Sequence, residues 1–146
     1  MKELIKIFCS SVNRLKEDTA VQEEIDPEIA PLCTAINSLK GCKTTSSCSQ
    51  HYFSDEEDSG PADFSNGGRQ VYVSVVFENI ESMGIVIDAF FSSPYRWKVI
   101  TTRRHGRDYD LESNQVRQIF QYMFDNKRGR DKEFSRIISY IKSRVV

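Results

Sequence analysis

Residues 26–49 read DPEIAPLCTAINSLKGCKTTSSCS, and the fold turns on how this stretch divides. Asp26 can cap a helix, and Pro27 suits the first helical position because that turn leaves its N–H unbonded anyway. Ile29, Leu32, Cys33, Ile36 and Leu39 then recur at helical spacing as one apolar stripe. Gly41 follows as a stop, since glycine accepts the left-handed backbone that ends many helices. Cys33 lies on the stripe and reads as a small buried hydrophobe rather than a reactive thiol. From Cys42 to Ser49 the β-branched threonines suggest a short strand running into a hydroxyl-rich loop.

On the N-terminal side, Leu4, Ile5, Phe8, Val12 and Leu15 give another amphipathic helix, ending near Glu17 and Asp18. On the C-terminal side, residues 54–68 (SDEEDSGPADFSNGG) are acidic and rich in Gly, Ser and Pro, the composition of a long, mobile surface loop. Gln70–Phe77 (QVYVSVVF) is a mostly apolar run suited to a central strand. Asn79 can cap a helix through Phe91 with Ile80, Met83, Ile87 and Phe90 or Phe91 on one face, and Ser92-Ser93-Pro94 breaks it. Tyr95–Arg103 is the next strand. His105-Gly106 suits a hairpin turn into Arg107–Leu111. Ser113 then caps a helix carrying Val116, Ile119, Phe120 and Met123, and Asp131 starts a last one with Phe134, Ile137, Ile138 and Ile141. The expected fold is α+β, a single domain over residues 1–146 in the order α-α-β-(loop)-β-α-β-β-α-α, with helices packed on a short sheet.

Composition agrees with one packed domain. The chain has 146 residues, of which 39% are hydrophobic and 28% charged. No apolar run approaches the roughly 18 residues that span a membrane. The start MKELIKIF has no signal-peptide pattern, so a soluble cytoplasmic protein with no membrane partner is expected. The four cysteines have no CxxC spacing and only two histidines accompany them, which argues against a disulfide scaffold and a zinc site. No metal is expected. Charge is uneven: residues 1–95 hold 7 Lys/Arg against 15 Asp/Glu, whereas residues 96–146 hold 13 against 6. Such a split points to an anionic partner for the basic half, or to two halves that attract each other.

The chemistry concentrates at Thr44-Thr45-Ser46-Ser47-Cys48-Ser49-Gln50-His51, where six hydroxyl or thiol side chains precede an imidazole. Hydroxyls and free backbone N–H groups at a strand end can ring an anion. Such a loop suits phosphate, carboxylate or sulfonium-bearing ligands. Ser49 and His51 are close enough to hint at hydrolase chemistry, but no G-x-S-x-G elbow surrounds them. Arginine binds phosphate bidentately, so Arg103 and Arg104 at the hairpin tip and Arg69 before the Gln70–Phe77 strand could complete an anion pocket with the loop. Lys127, Arg128, Arg130 and Lys132 form a further basic turn that could touch nucleic acid.

The combination of Asp26-Pro27-Glu28-Ile29, Ile36-Asn37-Ser38-Leu39 and Thr44–Ser49 resembles the wybutosine-synthesis tRNA methyltransferases, whose signature runs D-x-x-I … I-N … T-T-S-S-C-S-G-R. The spacing fits without gaps across residues 26–49. Gln50 stands where that family has Gly, and His51 where it has Arg. Small phage-encoded proteins share the segment in a form ending in Gly-His, which His51 matches. The resemblance implies a shared fold and pocket, with Thr45, Ser46, Ser47, Cys48 and Ser49 as its ligand-binding segment.

Three functions are therefore open. The leading expectation is a small binding protein for a phosphate-bearing small molecule or nucleotide, using Thr45, Ser46, Ser47, Cys48, Ser49, His51, Arg69, Arg103 and Arg104 with no cofactor. In a phage setting it would sequester a host signalling nucleotide. The alternative is a methyltransferase using S-adenosylmethionine on a tRNA base, with RNA as partner. The third is an inhibitor that engages a host protein through the acidic residues 55–63.

Overall fold

The computed structural model describes residues 25–54, 69–102, 111, 112 and 114–145. The first helix does not begin at Pro27 after an Asp26 cap: residues 27–29 form a turn in which the Asp26 carbonyl accepts the N–H groups of Ile29 and Ala30, each at 3.0 Å, and Ile29 is the cap position. Helix α1 then runs over Ala30–Asn37, with Pro31 in its first turn. Ile29, Leu32, Cys33, Ile36 and Leu39 are all buried, as their spacing predicts. Gly41 has φ of +72°, and a Cβ there would stand 2.9 Å from the Asn79 Cβ, so glycine is required by both torsion and space.

Strands β1 (Cys42–Ser49), β2 (Val71–Phe77), β3 (Lys98–Thr102) and β4 (Val116–Tyr122) form one antiparallel sheet in the order β1-β2-β4-β3. Register alternation sets the two faces. Val71, Val73, Val75 and Phe77 pair across β4 with Tyr122, Phe120, Gln118 and Val116, and this face meets the helices. Helix α2 (Ile80–Phe91) is capped by the Asn79 side chain on the Ser82 N–H, and α3 (Lys127–Arg144) by Asn126 on the Gly129 N–H. The core closes where the Phe90 ring stacks on Phe120, centroids 4.2 Å apart, and meets Trp97 edge-on at 4.7 Å. Trp97 lies against the sheet with its indole N–H bonded to buried Glu133 at 2.8 Å. Among the described residues, one sheet under three helices makes a two-layer α+β arrangement.

Several expectations are corrected. Residues 116–123 are not a helix: Val116, Ile119, Phe120 and Met123 fit helical spacing, yet 116–122 form the central strand β4. Buried Gln118 and Arg117 interrupt the alternation that would have marked a strand, while β2 and β3 supply backbone partners on both sides. All of Cys42–Ser49 is strand, so the hydroxyl-rich loop is instead the edge strand β1. Helix α3 begins at Lys127 rather than Asp131. On α2 the buried face is Ser82, Val86, Ala89 and Phe90, leaving Ile80 and Phe91 exposed. Strand β3 is shorter than Tyr95–Arg103. The expected helix over Leu4–Leu15, the acidic loop from residue 55 to 68, the hairpin at 103–110 and the capping Ser113 lie outside the described residues, and Leu111 is not in a strand.

Candidate functional site

One end of the sheet gathers the end of β1, the start of β2, the end of β4 and the first turns leading into α1 and α3. Asp26 is buried there. One of its carboxylate oxygens accepts the Glu28 N–H at 3.2 Å, which fixes the side chain to its own turn. The other accepts a short hydrogen bond from the Ser49 hydroxyl, at the last position of β1. His51 Nε2 lies 3.7 Å from that same oxygen. Three groups from two segments thus share one carboxylate.

Arg130 closes the cluster from α3, with its side chain 1% exposed. Its Nη1 donates to Glu28 Oε1 and to the Ser49 carbonyl, each at 3.0 Å, and reaches the Gln50 carbonyl at 3.4 Å. Nε and Nη2 donate to Asp131 Oδ1 at 2.9 and 2.8 Å. The guanidinium also lies over Phe53 and Phe134, 5.5 and 5.7 Å from the ring centroids. A buried cation is tolerated only when its donors are matched this fully. Burial pushes the His51 pKa below its ordinary value, and Arg130 adds to that, while Asp26 and Glu28 pull against it. The ring is therefore a neutral base at neutral pH.

Gln50 carries the backbone around the corner with φ of +74°, a region that disfavours a side chain. The residue is held there by its own amide. Nε2 donates to the Tyr52 and Phe124 carbonyls at 2.6 and 2.8 Å, and Oε1 accepts the Phe124 N–H at 2.8 Å. The positive φ explains physically why a glycine suits this place in the signature.

Of the residues singled out from sequence, Thr45, Ser46, Ser47, Cys48 and Ser49 are all buried in β1. The Thr45 hydroxyl donates to the Ser74 hydroxyl and carbonyl at 3.1 and 3.3 Å, and the Ser46 hydroxyl to Tyr72 Oη at 2.9 Å. Asn37 explains the fixed distance between the I-N and T-T pieces: its side chain accepts the Thr44 N–H at 2.8 Å and donates to the Thr44 hydroxyl at 3.1 Å. Buried Cys33 has its thiol pushed up to about 11 and Cys42 to about 12 by burial, so neither is a thiolate. Arg69 is at the same end as Ser49, two residues before Val71, the partner of Ser49. Arg103 and Arg104 lie outside the described residues. They follow Thr102, which pairs with Arg117 on the opposite edge and at the end where β1 begins.

Asp26, Glu28, Gln50 and Arg130 are the members that sequence reasoning missed. Asp26 reads as a cap and Arg130 as part of a solvated basic turn, whereas Arg130 is buried. A signal for it was present: Arg130 shares its helical face with Phe134, Ile137 and Ile141, an arginine in an apolar stripe.

No curated protein matches this sequence. Among solved structures, the PH1069 protein from Pyrococcus horikoshii aligns over 90% of this chain and 86% of its own, with 13% identity and a TM-score of 0.42. Residues 6–74 match the family described as methyltransferase TYW3. That span holds Asp26, Glu28, Asn37, the whole of β1, Gln50 and His51, and ends before β4 and α3. The chain thus resembles the wybutosine-synthesis methyltransferases over residues 6–74, the part that carries the Asp26–Ser49–His51 cluster.

Proposed function

We propose that this protein is a methyltransferase using S-adenosylmethionine to modify an amine of an RNA base, with Asp26, Ser49 and His51 as its reactive centre. The observation that carries the reading is the meeting of those three groups at the end of the signature strand, beside a buried arginine. The donor set suits the cofactor: the part-exposed Glu28 carboxylate can face its cationic groups, held in place by buried Arg130. When bound, S-adenosylmethionine supplies an electrophilic methyl group. An amine that accepts a methyl group must shed a proton, and neutral His51 can take it. Asp26, 3.7 Å away, then stabilises the imidazolium, while its bonds to the Glu28 N–H and Ser49 hold it in place. On the outer side of α3, Lys127, Arg128, Lys132 and Arg136 border an open groove suited to RNA phosphates. Buried free thiols at Cys33, Cys42 and Cys48 suit the reducing cytoplasm.

The test is transfer of labelled methyl from S-adenosylmethionine to unmodified cellular RNA. Wild type should label RNA, and Asp26→Asn or His51→Gln should lower the rate by roughly 10²–10⁴-fold with the circular dichroism spectrum retained. A wild-type protein that binds a nucleotide but never transfers methyl would favour a second reading, capture without chemistry. Gln50 supports that alternative, since a bulky side chain fills the place where the signature has glycine.

A further inference from the structure

Gln50, which follows Ser49 of the cluster, also lines a cavity of about 240 Å³. Buried Phe53 and Phe124 border it, with Tyr52, Arg69 and Met123 also in its lining. Met123 is 59% exposed, a large apolar side chain left open to solvent beside this cavity. The aromatic lining and the polarizable Met123 thioether give the cavity an apolar wall that suits a flat ring. The Gln50 amide forms a wall but is already bonded on both of its polar atoms, so it does not select a ligand by hydrogen bonds.

Arg69 supplies the selection. Its guanidinium carbon sits over the Tyr52 ring, 5.8 Å from the centroid, and among the described residues no carboxylate pairs with it. A ring engages the face of a guanidinium and leaves its N–H edges directed outward, where they match two oxygens of a phosphate. The cavity is smaller than the ~300–1,000 Å³ of pockets for drug-sized ligands. It holds one ring system with a small acidic group rather than a dinucleotide.

The geometry points to a nucleoside monophosphate site between Arg69, Tyr52, Met123 and Phe124, with the base among the aromatic side chains and the phosphate on Arg69. This site is separate from the Asp26 cluster and requires no methyl transfer.

Calorimetry of the full chain with the four ribonucleoside monophosphates, the matching nucleosides and inorganic phosphate tests it. The tightest monophosphate should bind roughly tenfold or more tightly than its nucleoside, and more tightly than phosphate alone. Arg69→Ala should remove that advantage while leaving nucleoside binding unchanged, and Tyr52→Leu should weaken both ligands. Arg128→Ala, on the outer side of α3, and Asp26→Asn should leave the affinity as it is. Monophosphate binding no tighter than that of phosphate, or unaffected by Arg69→Ala, overturns the assignment. An equal loss in Arg128→Ala overturns it in favour of general charge attraction. A loss in Asp26→Asn as large as that in Arg69→Ala also overturns it, by placing the ligand in the cluster. Loss of methyl transfer in Asp26→Asn with monophosphate binding intact separates this site from the proposed activity.

Discussion

Strands β1 and β3 are the two edges of one sheet, and polarity and burial run opposite ways in them. CKTTSSCS in β1 is rich in hydroxyls, yet only Lys43 is exposed; KVITT in β3 is more apolar, yet Ile100 is 38% exposed. The difference is one of partners. Helix α1 packs its stripe beside β1 and sends Asn37 to Thr44, while Ser74, Tyr72 and Asp26 receive the hydroxyls of Thr45, Ser46 and Ser49. Burying a hydroxyl costs little once it is bonded, so a polar strand can lie inside. Strand β3 meets the core chiefly at Val99 and through Trp97 just before it.

The largest effect that should separate the two edges is a core truncation. Ile36→Ala, under the cover of β1, should destabilise by about 2–5 kcal/mol. Ile100→Ala on β3 should lose less than about 1 kcal/mol, because its side chain is already partly in water. Denaturant melts of both variants check this, and equal losses would mean that the edges are equally covered.

How far these environments can be read from sequence follows the same division. The α1 stripe, the stop at Gly41 and the apolar β2 run declare themselves through periodicity, because apolar burial alone decides them. The interior of β1 does not, since satisfaction of Thr45 and Ser46 depends on Ser74 and Tyr72, more than 20 residues away. The same holds for β4, where buried Arg117 and Gln118 disguise a central strand. The candidate site was half legible. Ser49 and His51 stand in the signature itself, but Arg130 lies 81 positions beyond Ser49, whose carbonyl it bonds.

A smaller test compares hydroxyls. Thr45→Val removes a buried donor to Ser74 and should cost about 0.5–1.5 kcal/mol. Thr101→Val on β3, where the exposed hydroxyl accepts from Gln118 at 3.1 Å, should stay within about 0.5 kcal/mol. Thermal melts of the two variants read the difference, and a silent Thr45→Val would show that the buried bond adds nothing.

The smallest expected effect is a pH dependence at the end of β1. His51 has its folded pKa lowered, so below its ordinary value of ~6.5 the unfolded chain takes the proton first. Stability therefore falls as pH drops from about 6.5 towards the folded pKa and is fully present above that window. His51→Gln should flatten this part of the curve, read as Tm between about pH 7.5 and 5.5, whereas no comparable histidine effect arises from β3.

Gln50 binds two remote parts of the chain into one unit of motion. Its backbone conformation costs about 1–3 kcal/mol on its own, and its three amide contacts with Tyr52 and Phe124 offset that cost only while the corner after β1 and the turn before α3 stay docked. Fraying of either segment removes the compensation for the other. The Ser49 end of β1 and the entry to α3, which carry opposite sides of the candidate site, therefore open together as a single cooperative unit rather than by independent loosening of two surface turns.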